Sequence, residues 1–336
     1  MNPRRRGARA LLGLCLTVGL GAIGCVESRD LGSSVSHGKL PVDERNPVIL
    51  ANDSANENWQ GEYAILLSAG GGPKLAGLIV NTSGPWPDID ANIAGWRGLV
   101  AAARASGIRD VPDPIASIGP PLVRPADGRF ASTTPNRSEG ARLIVDASTR
   151  LSLPYRPLVV VTGGRLTDVA DAVLIDPTIV DRIVVVSSMG TVTATGGAMS
   201  NPNGEMDPWA DAIVTGSLPF VQVSAYYDQF TLDVPASSVA QLPANPFGDW
   251  IAAKQPNIWT LAQSADQVGI IAVGVPGFAM TVERVAAAST VGPGASAGPD
   301  LATNMNGPGW LVTQSKSSVA TARFWQILKD SSTYSR

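Results

Sequence analysis

Two short, unbroken apolar runs, Pro157–Thr162 (PLVVVT) and Arg182–Ser187 (RIVVVS), leave this chain few folds to adopt. A strand with one wet face alternates apolar and polar residues. These do not alternate, so both faces must be buried, as in a central parallel strand covered by helices on both sides. Lys74–Asn81 (KLAGLIVN), Pro47–Leu50 and Leu218–Val223 read as further strands. Helical spacing lies between them. Ile89–Ser106 places Ile93, Trp96, Leu99 and Val100 on one face, and Ser138–Ala147, Leu166–Leu174 and Asp207–Val214 follow. Ser317–Asp330 predicts a C-terminal helix. Strand and helix in alternation predict an α/β fold with a doubly wound, mostly parallel sheet flanked by helices. The pattern weakens over Phe230–Ile258, where helices are expected around Trp250 and Trp259. Val291–Gly309, rich in Gly, Pro, Ala and Asn, predicts a loop beside a terminal hairpin.

The N-terminus reads as a targeting segment. Arg4, Arg5, Arg6 and Arg9 precede the apolar stretch Ala10–Ala22, which is too short to span a bilayer well. It runs into Ala22-Ile23-Gly24-Cys25, which resembles a bacterial lipobox. Residues 1–25 are therefore read as a lipoprotein signal peptide with Cys25 as the lipidation site. Residues 26–45 are read as a flexible tether and 46–336 as the folded domain. The alternative is an ordinary signal peptide with an incidental Cys25. A lipid at Cys25 would hold the domain on a membrane of the bacterial cell envelope without a transmembrane helix.

Composition then removes whole classes of chemistry. The only cysteines are Cys15, inside the apolar stretch, and Cys25. A mature chain with a lipidated Cys25 has no thiol for a nucleophile, a zinc thiolate site or an iron–sulfur cluster. The only histidine, His37, falls in the tether, so the domain has none for a Ser-His-Asp triad or a histidine zinc site. Charged residues make up 16% and the net charge is −3, with no basic face for nucleic acid. Carboxylates, hydroxyls, amides, lysine or a hard metal ion remain.

The stretch Asn46–Leu67 gathers such groups: an apolar strand, a polar turn holding Asp53, Glu57 and Asn58, then a helix-like segment. Oxygen-bearing side chains at a strand's carboxyl end suit a hard cation or a sugar diol. The same composition also makes a solvated turn.

The order of pieces resembles the inosine/uridine-preferring nucleoside hydrolase superfamily. That family opens with a strand followed by Asp-x-Asp-x-Gly-x-Asp-Asp, where this chain has Ala51-Asn52-Asp53-Ser54-Ala55-Asn56-Glu57-Asn58. Its second strand ends in Gly-Asn, and here in Val80-Asn81. Leu158–Pro177 is similar to the family's strand and Thr-Gly-Pro/Gly-Leu-Thr-Asn helix start. RIVVVSSMG is similar to its strand ending in Met-Gly-Gly. Asn201-Pro202-Asn203 stands where the family has Glu-Phe-Asn, and Asp266 where it has His-Asp-Pro.

The resemblance implies hydrolysis of the N-glycosidic bond of a ribonucleoside or related N-riboside, with a calcium-activated water. Asp53 would be general base and metal ligand, with Asn58, the Thr162 carbonyl and Asp266 completing the metal set. Glu57, Asn81, Met189, Asn201 and Asn203 would line the sugar. Asp266 also reads as a helix cap and Met189 as core. Family members commonly form oligomers, so the resemblance allows a homo-oligomer. The chain departs from the pattern at Ala51, Asn58, Asn201 and Ala265, which stand where the family has Asp, Asp, Glu and, often, His. Extra residues near Trp59–Gly61 also allow a register in which Glu62 contributes. These departures keep a second reading open: a non-catalytic surface lipoprotein that binds a sugar or nucleoside in a degenerate pocket.

Overall fold

The computed structural model describes residues 39–194, 197–223, 236–255 and 265–335. Residues 1–25, read as a signal peptide ending in Cys25, and His37 and Trp259 lie outside the described residues. Packing begins before Asn46, inside the stretch read as tether, because Val42 is 6% exposed within the core.

Among the described residues, eleven strands and nine helices follow in chain order. The first half runs β1 (Val48–Asn52), α1 (Gln60–Ala69), β2 (Leu75–Val80), α2 (Ile89–Ala105), β3 (Pro114–Ala116), α3 (Glu139–Leu151), β4 (Leu158–Thr162), α4 (Thr167–Ile175) and β5 (Ile183–Ser187). A small hairpin, β6 (Thr191–Ala194) and β7 (Gly197–Ser200), leads to α5 (Pro202–Glu205), α6 (Pro208–Ser217) and β8 (Phe220–Val223). Then come α7 (Pro246–Lys254), α8 (Ala265–Gly274), β9 (Ala279–Ala287), β10 (Leu301–Thr303), β11 (Gly309–Ser315) and α9 (Ser317–Lys329). The boundaries follow local chemistry. Asp88 caps α2 by accepting from the amides of Asp90 and Ala91, and Ser138 caps α3 through the Ala141 amide. Asp207 and Asn245 cap α6 and α7, each followed by a proline whose missing N–H costs nothing at a helix start.

Nine strands form one sheet in the order β10-β9-β11-β8-β5-β4-β1-β2-β3. From β3 to β11 the pairing is parallel throughout, as the unbroken apolar runs require. Successive residues of each central strand feed opposite cores. Val48, Leu50, Val159 and Val161 face the layer holding α1, α2, α7, α8 and α9, while Ile49, Ala51 and Val160 face α3, α4 and α6. The antiparallel edge of β9 and β10 and the β6–β7 hairpin were not expected as strands. Residues 279–287 are only partly buried, so no continuous apolar run marks them. Among the described residues no helix is long and apolar enough to cross a membrane.

The chain winds outward from β1 in both directions, to β2 and β3 on one side and to β4, β5 and β8 on the other. At such a reversal the flanking connections leave on opposite faces and open a crevice beyond the strands' carboxyl ends. The register lines up Ala51 with Thr162, Thr162 with Ser187, and Ser187 with Gln222. On the other side Asn52 pairs with Val80, so Asn81 falls beside Asp53.

Candidate functional site

Six of the expected residues, Asp53, Glu57, Asn58, Thr162, Asn203 and Asp266, meet at this crevice. Asp53 follows the last residue of β1, Glu57 and Asn58 lie in the next turn, and Asp266 opens α8. Asn58 Nδ2 donates to Asp266 Oδ2 at 3.3 Å and to Glu57 Oε2 at 3.4 Å. From the opposite side, Asn203 Nδ2 donates to Asp266 Oδ1 at 3.1 Å and to the Thr162 carbonyl at 3.3 Å. Glu57 is hydrogen-bonded to both Asp53 and Asp266.

Crowding three acids in a buried place shifts their protonation. Burial, then the charges of Asp266 and Asp53, push Glu57 up to about 11. Burial and the Asp53 charge push Asp266 up to about 7. Burial also raises Asp53, while the Ser83 hydroxyl and the Ser54 amide offset part of the shift. The three groups therefore share protons unless a positive charge joins them.

Sequence reasoning missed the scaffold beneath these acids. Gln60 Nε2 donates to the Asp266 carbonyl at 2.7 Å, and Gln60 Oε1 accepts from Asn52 Nδ2 at 2.5 Å. Gln267 Oε1 accepts from the Trp59 amide at 3.4 Å. Ser187 Oγ donates to the Thr162 carbonyl at 3.1 Å. Gly163 makes the close approach feasible: a Cβ there would lie 2.7 Å from Gln60 Oε1 and 2.8 Å from Asp266 Cβ. Polar residues at strand ends, such as Ser187, carried a signal in the sequence. Gln60 and Gln267 lie inside helices and carried none.

Asn81 is 5% exposed and its amide lies near the Asp168 carboxyl, but neither amide atom makes a hydrogen bond of good geometry. It lies against Gly164, where a Cβ would come within 2.5 Å of Asn81 Oδ1. A buried amide lacking partners is costly unless a ligand completes it.

Other expected residues are placed elsewhere. Asn201 is spent on its own turn, donating from Nδ2 to the carbonyls of Met189 and Gly190 and accepting from Ser188 Oγ. It braces that turn rather than lining the sugar. Met189 is fully buried in the apolar core. Glu62 is fully buried against Lys254 and Trp250, so the register in which it joins Asp53 does not occur. Asn58 turns its amide nitrogen to the acids while its oxygen accepts from the Gln60 amide at 2.8 Å, making it a brace for Asp266 rather than an oxygen ligand in this state.

The turn after β5 is held by Asp211, whose Oδ2 accepts from the Gly190 amide at 2.6 Å and whose Oδ1 has no partner. Burial pushes Asp211 up to about 7. The unfolded chain releases this proton near pH 4, so the folded state holds it between about pH 4 and 7 and loses stability as pH rises through that window. Asp211→Asn keeps the acceptor and removes the charge. It is expected to flatten this slope and to stabilise the protein at pH 8 by on the order of 1 kcal/mol or more. Urea titrations of both proteins at pH 5 and pH 8 would read it, and parallel slopes would refute it.

Calcium, implied by the resemblance, needs oxygen ligands and negative charge. The donor chemistry fits. Asp53, Glu57 and Asp266 supply carboxyl groups whose mutual repulsion a divalent cation would relieve, and the Thr162 carbonyl lies at their edge. Among the described residues, though, no three His, Cys, Asp or Glu side chains are drawn into a metal-ligating cluster.

The fold is that of the nucleoside hydrolases. The inosine-uridine preferring nucleoside hydrolase from Bacillus anthracis superposes with a TM-score of 0.60 at 15% identity, covering 84% of this chain and 99% of that one. The purine-preferring ribonucleoside hydrolase from Gardnerella vaginalis gives 0.53 at 15% identity, covering 86% and 99%. The type III effector XopQ, solved in complex with adenosine diphosphate ribose, gives 0.53 at 14% identity, covering 87% and 96%. No family profile matches the sequence, and no curated protein matches it.

Proposed function

We propose that this protein binds a ribosyl compound at the crevice of Asp53 and hydrolyses its N-glycosidic bond with the help of a calcium ion. The observation that carries this reading is the meeting of Asp53 and Glu57 with Asp266, which comes from far along the chain, at the reversal point of the sheet. Asp53, Asp266 and the Thr162 carbonyl would hold the ion, with Glu57 beside them. A bound ion would supply Lewis acidity for a water and positive charge for the sugar diol. Asp53 would accept the proton of an attacking water. Asn81, beside Asp53, would hydrogen-bond a sugar hydroxyl, and Asn203 steadies Asp266 from the far side. The ribosyl centre develops oxocarbenium character as the bond breaks, and the clustered carboxylates stabilise that positive charge.

A second reading is favoured by the acids' own state. Without a cation, burial pushes Glu57 up to about 11 and raises Asp53 above its ordinary value, and a protonated acid is no base. Among the described residues no histidine stands ready to protonate a leaving base. In this reading the crevice binds a ribosyl ligand without turnover. One pair of assays separates the two. Free ribose is measured from a panel of nucleosides and adenosine diphosphate ribose, with calcium or with a chelator, and binding of the same panel is followed by calorimetry. Calcium-dependent ribose release supports hydrolysis. Binding without release supports the second reading, and neither signal would sink both.

A further inference from the structure

We propose that Lys254 is a positioning residue for the acidic turn, fixing the backbone that presents Asp53 and Glu57 to a cation. The inference rests on the cation-binding reading above. Lys254 ends α7 and is 6% exposed. Its Nζ donates to the Ala55 carbonyl at 2.5 Å, to the Asn58 carbonyl, and to Glu62 Oε1 at 2.7 Å. That uses all three donors of an ammonium group. The Trp59 ring lies 4.9 Å beneath it.

The distribution of those bonds distinguishes positioning from simple charge pairing. A lysine present only to neutralise Glu62 would have no need to give its other two protons to the turn. Here Glu62 Oε1 is shared with Trp250 Nε1, at 2.8 Å, and Glu62 Oε2 has no partner. Two of the three ammonium protons go instead to the turn. The two carbonyls bracket Asn56, Glu57 and Asn58, so holding them fixes the peptide planes from which the acid and amide side chains project. Outer groups that orient ligands in this way govern affinity nearly as strongly as the ligands do.

The sign of one substitution tests this. Lys254 carries the same charge as a bound cation, so if charge alone mattered, Lys254→Met would tighten cation binding. Positioning requires the opposite. The probe is terbium(III), a hard-ion stand-in for calcium, followed in the full chain by tryptophan-sensitised luminescence and by calcium competition. Lys254→Met is expected to weaken terbium binding roughly 10- to 100-fold. Glu62→Gln, which keeps both bonds to the turn, should leave affinity near that of the unmodified protein.

Lys254→Met/Glu62→Gln removes the buried charge that Lys254→Met alone would strand. It should regain most of the lost melting temperature without regaining affinity. It also supplies the test should the single variant fail to fold. Unchanged or tighter binding by Lys254→Met, or affinity that returns together with stability in the double variant, overturns the positioning role. If the unmodified protein binds no terbium, the cation reading falls and this inference falls with it.

Discussion

Replacing Asp53 with alanine is expected to abolish the calcium-dependent rise in melting temperature and to lower any ribose release by roughly 10²- to 10⁴-fold. The loss should be local. The Asp53 carboxyl accepts from the neighbouring Ser54 amide at 2.5 Å and otherwise faces Ser83 and Glu57. Removing one of three mutually repelling acids should leave the cation-free protein at least as stable as before. Sites built from like charges hold strain that the rest of the fold supports. Thermal melts with and without calcium, run beside the ribose assay, would read both effects. A variant that keeps the full calcium shift would remove Asp53 from the ligand set.

Trp96→Ala is expected to cost about 3–5 kcal/mol of stability, the usual result of emptying a large buried aromatic site. Trp96 is 1% exposed on α2 and packs so tightly on α1 that a Cβ at Gly61 would lie 2.8 Å from its ring. Its Nε1 also donates to the Asp53 carbonyl at 3.2 Å, tying the core of this layer to the site. Trp96→Phe should recover most of the packing but still leave that carbonyl without its indole donor. It is therefore expected to weaken calcium stabilisation more than its loss of stability alone would suggest. Urea midpoints for the two variants, with calcium shifts measured beside them, would check this. If Trp96→Phe keeps the unmodified protein's calcium shift, the indole bond is irrelevant to the site.

The sheet was legible because parallel strands buried on both faces must be apolar throughout. PLVVVT and RIVVVS declared β4 and β5 in this way, and the crevice followed from strand order. The edge formed by β9 and β10 escaped because exposed antiparallel strands carry mixed sequence. At the site, carboxylates placed just after a strand were visible as chemistry. The roles of their neighbours were not. Asn201 reads as a sugar-facing amide by position, yet its nitrogen is spent on the carbonyls of Met189 and Gly190 and its oxygen on the Ser188 hydroxyl. Lys254 reads as an ordinary last-turn lysine, and only the packing of α7 over the turn after β1 shows where its charge goes. Hydrogen-bond partners far apart in sequence leave no periodicity to detect.

The separation of the site's two halves also has a consequence for how the chain matures. Asn58 and Asp266 touch across 208 residues, and the Lys254 clamp on Ala55 spans 199. Contacts of such range form late, because a long loop must close before they return any stabilisation. As the chain emerges N-terminus first, the Asp53 turn exists long before its counterpart in α8. Early intermediates thus lack the assembled acid cluster, which is complete only once the last third of the chain has docked. A ligand held by that cluster, as proposed, would add stability only to molecules that have finished folding.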